Sequence, residues 1–242
     1  MHIEVVADEG ELARRAADIL ADTIRRKPHA VLGLPTGATP KAAYRQLTER
    51  IARKEVDVNR VRAFAVDEFL TGSHDATGTN LGFFADYLPA MRRSLAIPPF
   101  SISNDEAASV VSAYAAHVGN LGGFDLCLLG IGTNGHIAFN EPGSGIDSRA
   151  RVVELTKESR RAHAAAFGSL DAVPKRAVTL GVADILESRA ILVMAQGASK
   201  AAIVARAIEG PQAAAVPASW LQSHADVTWL LDEAAASELQ RR

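Results

Sequence analysis

Two adjacent carboxylates, Asp67 and Glu68, follow a short apolar segment that is typical of a buried strand. Because neighbouring residues of a strand point to opposite faces, we expect at most one of the two to face a binding cleft. Apolar neighbours partly desolvate a carboxylate at a strand end, which raises its pKa towards the range useful for a general base. A solvated or helix-capping acid is the competing interpretation.

A glycine-rich segment, 130–145, follows the apolar run 125–129 and carries Asn134, His136 and Glu141. Histidine titrates near neutral pH, and a nearby carboxylate can orient it and raise its pKa. Such a pair can move a proton to or from a sugar oxygen. The competing interpretation is a histidine that only hydrogen-bonds the loop backbone.

The same segment matches the spacing of a dinucleotide-binding fingerprint through Gly130, Gly132 and Gly135. That fingerprint requires a helix that starts at the last glycine and holds the pyrophosphate. Pro142 and the residues 143–145 would break such a helix within two turns. We therefore predict that no nicotinamide cofactor binds here.

A third polar segment, 33–40, joins an apolar run to a helical pattern and contains Thr36, Gly37, Ala38 and Thr39. Free backbone N–H groups and the positive end of the helix dipole suit a phosphate group. Thr39 is expected to cap the helix. The segment lacks the Gly-Lys-Ser/Thr ending of a Walker loop, and a capped turn without a ligand is the alternative.

The elements around these segments alternate between apolar runs and amphipathic helical patterns. Predicted strands cover 3–6, 30–34, 61–66, 125–129, 151–155, 177–180, 191–195 and 227–231. Predicted helices cover 10–26, 41–53, 107–121, 157–166, 199–209 and 234–240. This order indicates a single α/β domain over residues 1–242, three-layered, doubly wound and Rossmann-like, with a mostly parallel sheet and helices on both faces. Ligands of such sheets bind at the carboxyl ends of the strands, where the three polar segments lie.

Composition excludes several classes of protein. The net charge of −2 and a pI near 6.4 offer no basic field for nucleic acid or an anionic membrane surface. No apolar run approaches the roughly 20 residues of a membrane span, and the first residues lack the pattern of a signal peptide, so we expect a cytoplasmic protein. The single cysteine, Cys127, has no partner for a disulfide or a zinc site.

Five segments resemble the glucosamine/galactosamine-6-phosphate isomerase family: 32–40, 67–69, 132–142, 173–181 and 197–201. They follow the family's order and span nearly the whole chain. The block 136–142, which reads His-Ile-Ala-Phe-Asn-Glu-Pro, separates this family from relatives that share the fold.

The resemblance implies the conversion of glucosamine 6-phosphate and water to fructose 6-phosphate and ammonia. It implies that His136 opens the sugar ring with help from Glu141 and Asn134. It also implies that Asp67 moves a proton from C2 to C1 through an enediol-like intermediate. Neither a redox cofactor nor a metal is implied.

The resemblance places the substrate phosphate on the loop 36–39 and on Lys200. Family members usually carry a further phosphate-binding arginine where this chain has Ala165. We expect Arg161, four residues earlier on the same helix face, to replace it. Two other positions depart from the family: Asn134 stands where many members have aspartate, and Ala38 where glycine is frequent.

The segment 157–174 resembles the family's lid, whose closure would exclude water from the intermediate. Val153 stands where some allosterically regulated members have lysine, so we expect weak or absent activation by N-acetylglucosamine 6-phosphate.

Two other functions are weighed against a deaminase. A 6-phosphogluconolactonase shares the fold and the Gly-His element, but the residues 139–142 fit the deaminase pattern. A non-catalytic sugar-phosphate sensor would have no need of Asp67, His136 and Glu141. The expected partner is a small phosphorylated amino sugar; its gluco or galacto form, and a monomeric or homo-oligomeric state, are left open.

Overall fold

The computed structural model describes residues 1–72, 78–99, 101 and 106–240, and within these ranges strands and helices alternate. The strands are β1 His2–Val6, β2 Val31–Leu34, β3 Arg62–Ala65, β4 Asp67–Phe69, β5 Leu95–Ala96, β6 Leu126–Gly130, β7 Arg151–Glu154, β8 Arg176–Thr179, β9 Ile191–Ala195 and β10 Val227–Asp232. The α-helices are α1 Glu9–Arg26, α2 Lys41–Ala52, α3 Asn80–Tyr87, α4 Ala107–Asn120, α5 Lys157–Phe167, α6 Val182–Leu186 and α7 Ala201–Glu209. Short 3₁₀ helices cover Pro89–Met91, Ala198–Lys200 and Pro217–Ser223.

Seven strands form one parallel sheet in the order β1-β10-β9-β6-β2-β3-β5. Because all of these strands run in the same direction, their carboxyl ends share one edge. Strands β9, β6, β2 and β3 are consecutive in the sheet, so the segments that follow them are neighbours in space.

Two hydrophobic cores lie on the two faces of this sheet, because successive strand residues point to opposite sides. Leu126 and Leu128 of β6 pack into one core with residues of α1, α2 and α3. Cys127 and Leu129 pack into the other core with residues of α4 and α7. Each fully buried leucine contributes about 1.5–3 kcal/mol. The predicted three-layer fold with helices on both faces is confirmed.

A second, antiparallel sheet contains β4, β8 and β7, in that order. The strands predicted at 151–155 and 177–180 therefore exist, but they do not join the parallel sheet. The chain changes sheets at Val66, whose N–H donates to Leu34 in the main sheet and whose carbonyl accepts from Leu180 beside β8. Apolar periodicity predicts a strand but not its partner, which is why the pattern did not show this change.

The helix predicted at 234–240 is wrong, since turns occupy residues 233–238. Asp232, the last residue of β10, accepts a hydrogen bond from the Ala235 N–H at 2.7 Å, and its two carboxylate oxygens share the Gly197 N–H at 2.9–3.0 Å. The backbone bonds that follow, from the Ser237 N–H to the Ala234 carbonyl and from the Leu239 N–H to the Ala236 carbonyl, each span three residues, so the segment continues as turns and not as an α-helix.

Two further findings apply to the described ranges only. None of their helices is both long and apolar enough to cross a membrane. Nor do they contain a group of three or more histidine, cysteine or acidic side chains arranged to hold a metal ion.

Candidate active site

The polar segments predicted from the sequence lie at the carboxyl ends of four consecutive strands of the parallel sheet. Asp67 follows β3, the loop 35–40 follows β2, the segment with His136 follows β6, and Lys200 follows β9. The Lys200 ammonium donates a hydrogen bond to the Ile131 carbonyl at 2.8 Å, which joins the segments after β9 and β6. The topology therefore gathers these side chains at one edge.

Strand β8 connects Asp67 to the loop that carries His136. Asp67 pairs with Thr179 of β8, and the Thr179 hydroxyl accepts a hydrogen bond from the Phe139 N–H at 3.1 Å. The ring centroids of Phe69 and Phe139 lie 5.0 Å apart. The carboxylate and the histidine loop thus flank the same end of one strand.

Asp67 is 6% exposed, and this burial dominates its chemistry. The side-chain amide of Asn80 donates to the Asp67 carboxylate at 2.7 Å and to the Asp67 carbonyl at 2.8 Å. Burial raises the pKa of Asp67 from 3.8 to about 7; the charge of Glu68 adds to this rise, and the Asn80 bond opposes it. A carboxyl group with such a pKa can both accept and return a proton at neutral pH.

Glu68 is also buried, but its carboxylate binds backbone N–H groups. Its carboxylate accepts hydrogen bonds from the N–H groups of Phe69, Asn80 and Leu81, at 2.8, 3.0 and 3.1 Å. The last two N–H groups belong to the first turn of α3. The N–H groups of a first turn have no acceptor within their own helix, and the helix dipole favours a negative charge beside them. The capping interpretation therefore holds for Glu68, and Asp67 is the carboxylate without this structural task.

His136, Glu141 and Asn134 form a compact group. The imidazole Nδ1 lies 3.6 Å from a Glu141 oxygen, and the Asn134 amide donates to the same oxygen at 2.7 Å. Burial acts to raise the pKa of Glu141, but His136, the Ser159 hydroxyl and the Asn134 amide outweigh it and lower that pKa to about 2. Glu141 is therefore ionised beside the imidazole at every ordinary working pH.

The loop between β6 and β7 needs glycine at Gly132, because a Cβ there would lie 2.3 Å from the His136 ring. Ala138, between the histidine and Glu141, has a φ of +48°, an uncommon conformation for a residue with a side chain. The residues 131–150 form turns and bends without a helix. The helix that a dinucleotide-binding fingerprint requires after Gly135 is therefore not formed.

The start of α5 touches this group through contacts that the sequence analysis missed. Thr156 caps the helix by accepting from the Ser159 N–H at 3.1 Å, and its hydroxyl donates to Glu141 at 3.1 Å. The Ser159 hydroxyl lies 3.4 Å from Nδ1 of His136. The pattern Thr-x-x-Ser before an amphipathic run signals a helix start, but it does not show what the cap contacts.

The loop 35–40 offers free hydrogen-bond donors. Within the described part of the chain, no acceptor pairs with the backbone N–H groups of residues 36–39. Gly37 has a φ of +113°, which glycine adopts readily, and the Tyr44 hydroxyl fixes the loop by donating to the Pro35 carbonyl at 2.8 Å. Four N–H groups before a helix, with no acceptor among the described residues, suit an anion.

The cap predicted at Thr39 is wrong. Helix α2 begins at Lys41, its N-cap residue is Pro40, and no side chain bonds the first turn. Proline fixes φ near the helical value and so takes the position that the threonine was expected to fill. Ala38 is exposed in this loop, so its methyl group meets no steric obstacle.

The two predicted phosphate-binding cations, Lys200 and Arg161, differ in burial and in their contacts. Lys200 is half-buried, and burial lowers its pKa. Arg161 is exposed, and no described residue accepts a hydrogen bond from its guanidinium; Ala165 is exposed on the same helix. Arg160, which the sequence analysis did not consider, binds the Leu170 and Val173 carbonyls at 2.8–3.2 Å. Arg160 thereby ties α5 to the loop before β8.

Comparison with known proteins identifies the family of this chain. The family described as glucosamine-6-phosphate isomerases/6-phosphogluconolactonase matches residues 7–229. A glucosamine-6-phosphate deaminase of Rhodopirellula baltica is 40% identical, with 100% of this chain and 97% of that protein covered. The chain belongs to this family. A second relative within it, glucosamine-6-phosphate deaminase 1 of Bacillus subtilis, is 40% identical over 94% of this chain and 95% of its own length.

Solved structures of the isomerase/lactonase family share the architecture. A monomeric glucosamine-6-phosphate deaminase superposes with a TM-score of 0.92 at 39% identity, covering 98% of this chain and 100% of that one. A 6-phosphogluconolactonase from Trypanosoma brucei superposes with a TM-score of 0.79 at 23% identity, covering 98% of both chains. The second likeness shows the fold alone.

Proposed function

We propose that this protein is a glucosamine-6-phosphate deaminase, which converts glucosamine 6-phosphate and water to fructose 6-phosphate and ammonia. The observation that carries the proposal is the group of His136, Glu141 and Asn134 at one strand end, with the buried Asp67 across β8. An aldose-to-ketose conversion needs one proton-transfer group at the ring oxygen and a separate base at carbon. Deaminase relatives at 40% identity over the whole chain support the same choice.

Ring opening is assigned to His136. The imidazolium donates a proton to the ring oxygen, the bond between C1 and that oxygen breaks, and the imidazole takes up the proton that the C1 hydroxyl loses, which gives the open-chain aldehyde. Ionised Glu141, 3.6 Å from Nδ1, stabilises the imidazolium and sets the ring orientation. Asn134 holds Glu141 in place but adds no charge, so one carboxylate supports the histidine here.

The carbon chemistry is assigned to Asp67. Its carboxylate takes the proton from C2 of the open-chain sugar while the imidazolium of His136 protonates O1, which gives a 2-amino enol, and Asp67 then returns its proton to C1. This leaves an imine at C2, to which water adds before ammonia departs. A pKa of about 7 makes both directions of the proton transfer accessible at neutral pH.

The segment 157–174 is proposed to act as a lid over this site. The start of α5 contacts Glu141 and His136 through Thr156 and Ser159, and its last residue, Phe167, packs against Phe69 with ring centroids 4.9 Å apart. In this arrangement α5 covers the catalytic groups. Water is excluded from the intermediate when the lid is seated.

The sugar phosphate is assigned to the free N–H groups of residues 36–39, to Lys200 and to Arg161. Lys200→Met is expected to raise KM for glucosamine 6-phosphate by about 10–100-fold, since a charge-assisted contact contributes roughly 1.5–3 kcal/mol.

Arg161→Ala is expected to raise KM as well, while the exposed control Arg92→Ala leaves it unchanged. An unaltered KM for Arg161→Ala shows that Arg161 does not replace the arginine absent at Ala165.

An ammonia-release assay tests the proposed reaction. Glucosamine 6-phosphate and galactosamine 6-phosphate are compared with unphosphorylated glucosamine, and hydrolysis of 6-phosphogluconolactone is measured in parallel. We expect ammonia from a phosphorylated amino sugar and no faster reaction of the lactone. Dominant lactone hydrolysis supports the lactonase alternative, and tight binding without turnover supports a sensor.

A further inference from the structure

Asn80, the first residue of α3, lies between two parts of the proposed site. Its amide nitrogen donates to the Asp67 carboxylate at 2.7 Å and to the Asp67 carbonyl at 2.8 Å. Its amide oxygen accepts from the Thr36 hydroxyl at 2.7 Å. Asn80 is 2% exposed, so water does not compete for these bonds. One side chain therefore joins the loop 35–40 to the carboxylate that follows β3.

The chemistry of the partners fixes the orientation of this amide. A carboxylate and a carbonyl only accept hydrogen bonds, so the NH₂ group of Asn80 must face Asp67. The amide oxygen then faces Thr36, and the Thr36 hydroxyl must use its single proton to reach it. That hydroxyl cannot donate to Asn80 and to a bound anion at the same time.

We propose that Asn80 is a positioning residue that couples occupancy of the loop 35–40 by phosphate to the ionisation and placement of Asp67. With the loop empty, the bond from Thr36 polarises the amide and strengthens its donation to the carboxylate. When the Thr36 hydroxyl turns to a phosphate oxygen, this donation weakens and Asp67 becomes the better base. The assignment rests on the proposed function of the site.

The other groups around Asp67 do not provide the same link. The Glu68 carboxylate accepts hydrogen bonds from three backbone N–H groups, and the residue of β8 opposite Asp67 is the uncharged Thr179. The hydroxyls of Tyr44 and Tyr114 donate to backbone carbonyls of Pro35, Ala65 and Ala96. Among the described residues, Asn80 is the side chain that donates a hydrogen bond to the Asp67 carboxylate.

The test measures the pKa of Asp67 in the unliganded protein by ¹³C NMR of its carboxyl carbon. Asn80→Ala is expected to raise this pKa by about one unit, because a hydrogen bond to the ionised form is lost. Thr36→Val is expected to raise it by a few tenths of a unit, whereas Thr36→Ser, which keeps the hydroxyl, leaves it unchanged. Inorganic phosphate added to the wild type is expected to act like Thr36→Val.

Two further measurements distinguish coupling of the loop 35–40 to Asp67 through Asn80 from a non-specific structural effect of the substitutions. In the Asn80→Ala background, Thr36→Val is expected to cause no additional shift, and inorganic phosphate is expected to cause only the smaller rise that its negative charge produces directly. In turnover, Asn80→Ala is expected to lower kcat more than it raises KM, and to move the acid limb of the kcat/KM profile to higher pH together with the pKa.

The proposal is overturned if Asn80→Ala leaves the pKa of Asp67 unchanged, or if inorganic phosphate shifts this pKa as much without Asn80 as with it. If Asn80→Ala does not fold, equal pKa values in Thr36→Val and Thr36→Ser overturn it. These NMR titrations need no turnover, so a wild-type protein that releases no ammonia contradicts the proposed function by a separate result.

Discussion

Replacing Asp67 with asparagine is expected to abolish turnover and, at the same time, to stabilise the folded protein above neutral pH. Loss of a general base lowers kcat by about 10²–10⁴-fold. The pKa of Asp67 is about 7 in the folded protein, against 3.8 for the exposed group. Because the folded state holds this proton more tightly than the unfolded state does, stability is lost as pH rises through that interval.

The asparagine removes this pH-dependent loss while it keeps the shape and the bond from Asn80. We expect Asp67→Asn to gain on the order of 2–4 kcal/mol over the wild type at pH 8, and almost nothing at pH 4. Thermal melts at the two pH values measure the gain, with the exposed Asp86→Asn on α3 as the control. A variant that is less stable at pH 8, or that keeps a tenth of wild-type kcat, contradicts the assigned role.

Replacing His136 with asparagine is expected to have the second large effect. The variant loses the group that exchanges a proton with the ring oxygen, so kcat/KM for the cyclic substrate falls by about 10²–10⁴-fold. The lost imidazole also removes a partner of Glu141, so the pKa of that buried carboxylate rises from about 2.

Steady-state ammonia release measures this loss, and His117→Asn is the matched control. His117 lies on α4 and packs against Phe64 with ring centroids 5.2 Å apart, in a different part of the fold. The control is expected to keep wild-type kcat/KM. Equal activity of His136→Asn and His117→Asn would falsify the assignment of ring opening to His136.

The sequence was sufficient to place the site because strand ends have a simple geometric consequence. Once β2, β3, β6 and β9 are recognised as parallel strands, their carboxyl ends must share an edge. The residues that follow these strands are then expected to meet. Apolar runs and their order carry this information without any knowledge of side-chain contacts.

The choice between Asp67 and Glu68 could not be made in the same way. Alternation along a strand separates the two side chains but does not say which one faces the cleft. Which carboxylate is left for the cleft depends on α3, because the first N–H groups of α3 donate to Glu68. Helix α3 was not among the predicted helices. Asn80 was missed for the same reason.

Long-range pairing limited the prediction elsewhere. The antiparallel sheet of β4, β8 and β7 brings together segments more than 80 residues apart, and periodicity contains no such information. The contacts of Thr156 and Ser159 with the histidine group depend on where β7 leaves the start of α5. Local patterns predicted the helix but not its neighbours.

If Asp67 and the His136–Glu141 pair act on one amino sugar, deuterium placed at C2 of glucosamine 6-phosphate must leave that carbon during turnover. We expect the wild type to form ammonia and fructose 6-phosphate with a primary isotope effect on kcat/KM, and the deuterium to be found at C1 or in water. Asp67→Asn should leave the label in place. Ammonia released by the wild type while deuterium stays on C2 contradicts the transfer of the C2 proton by Asp67.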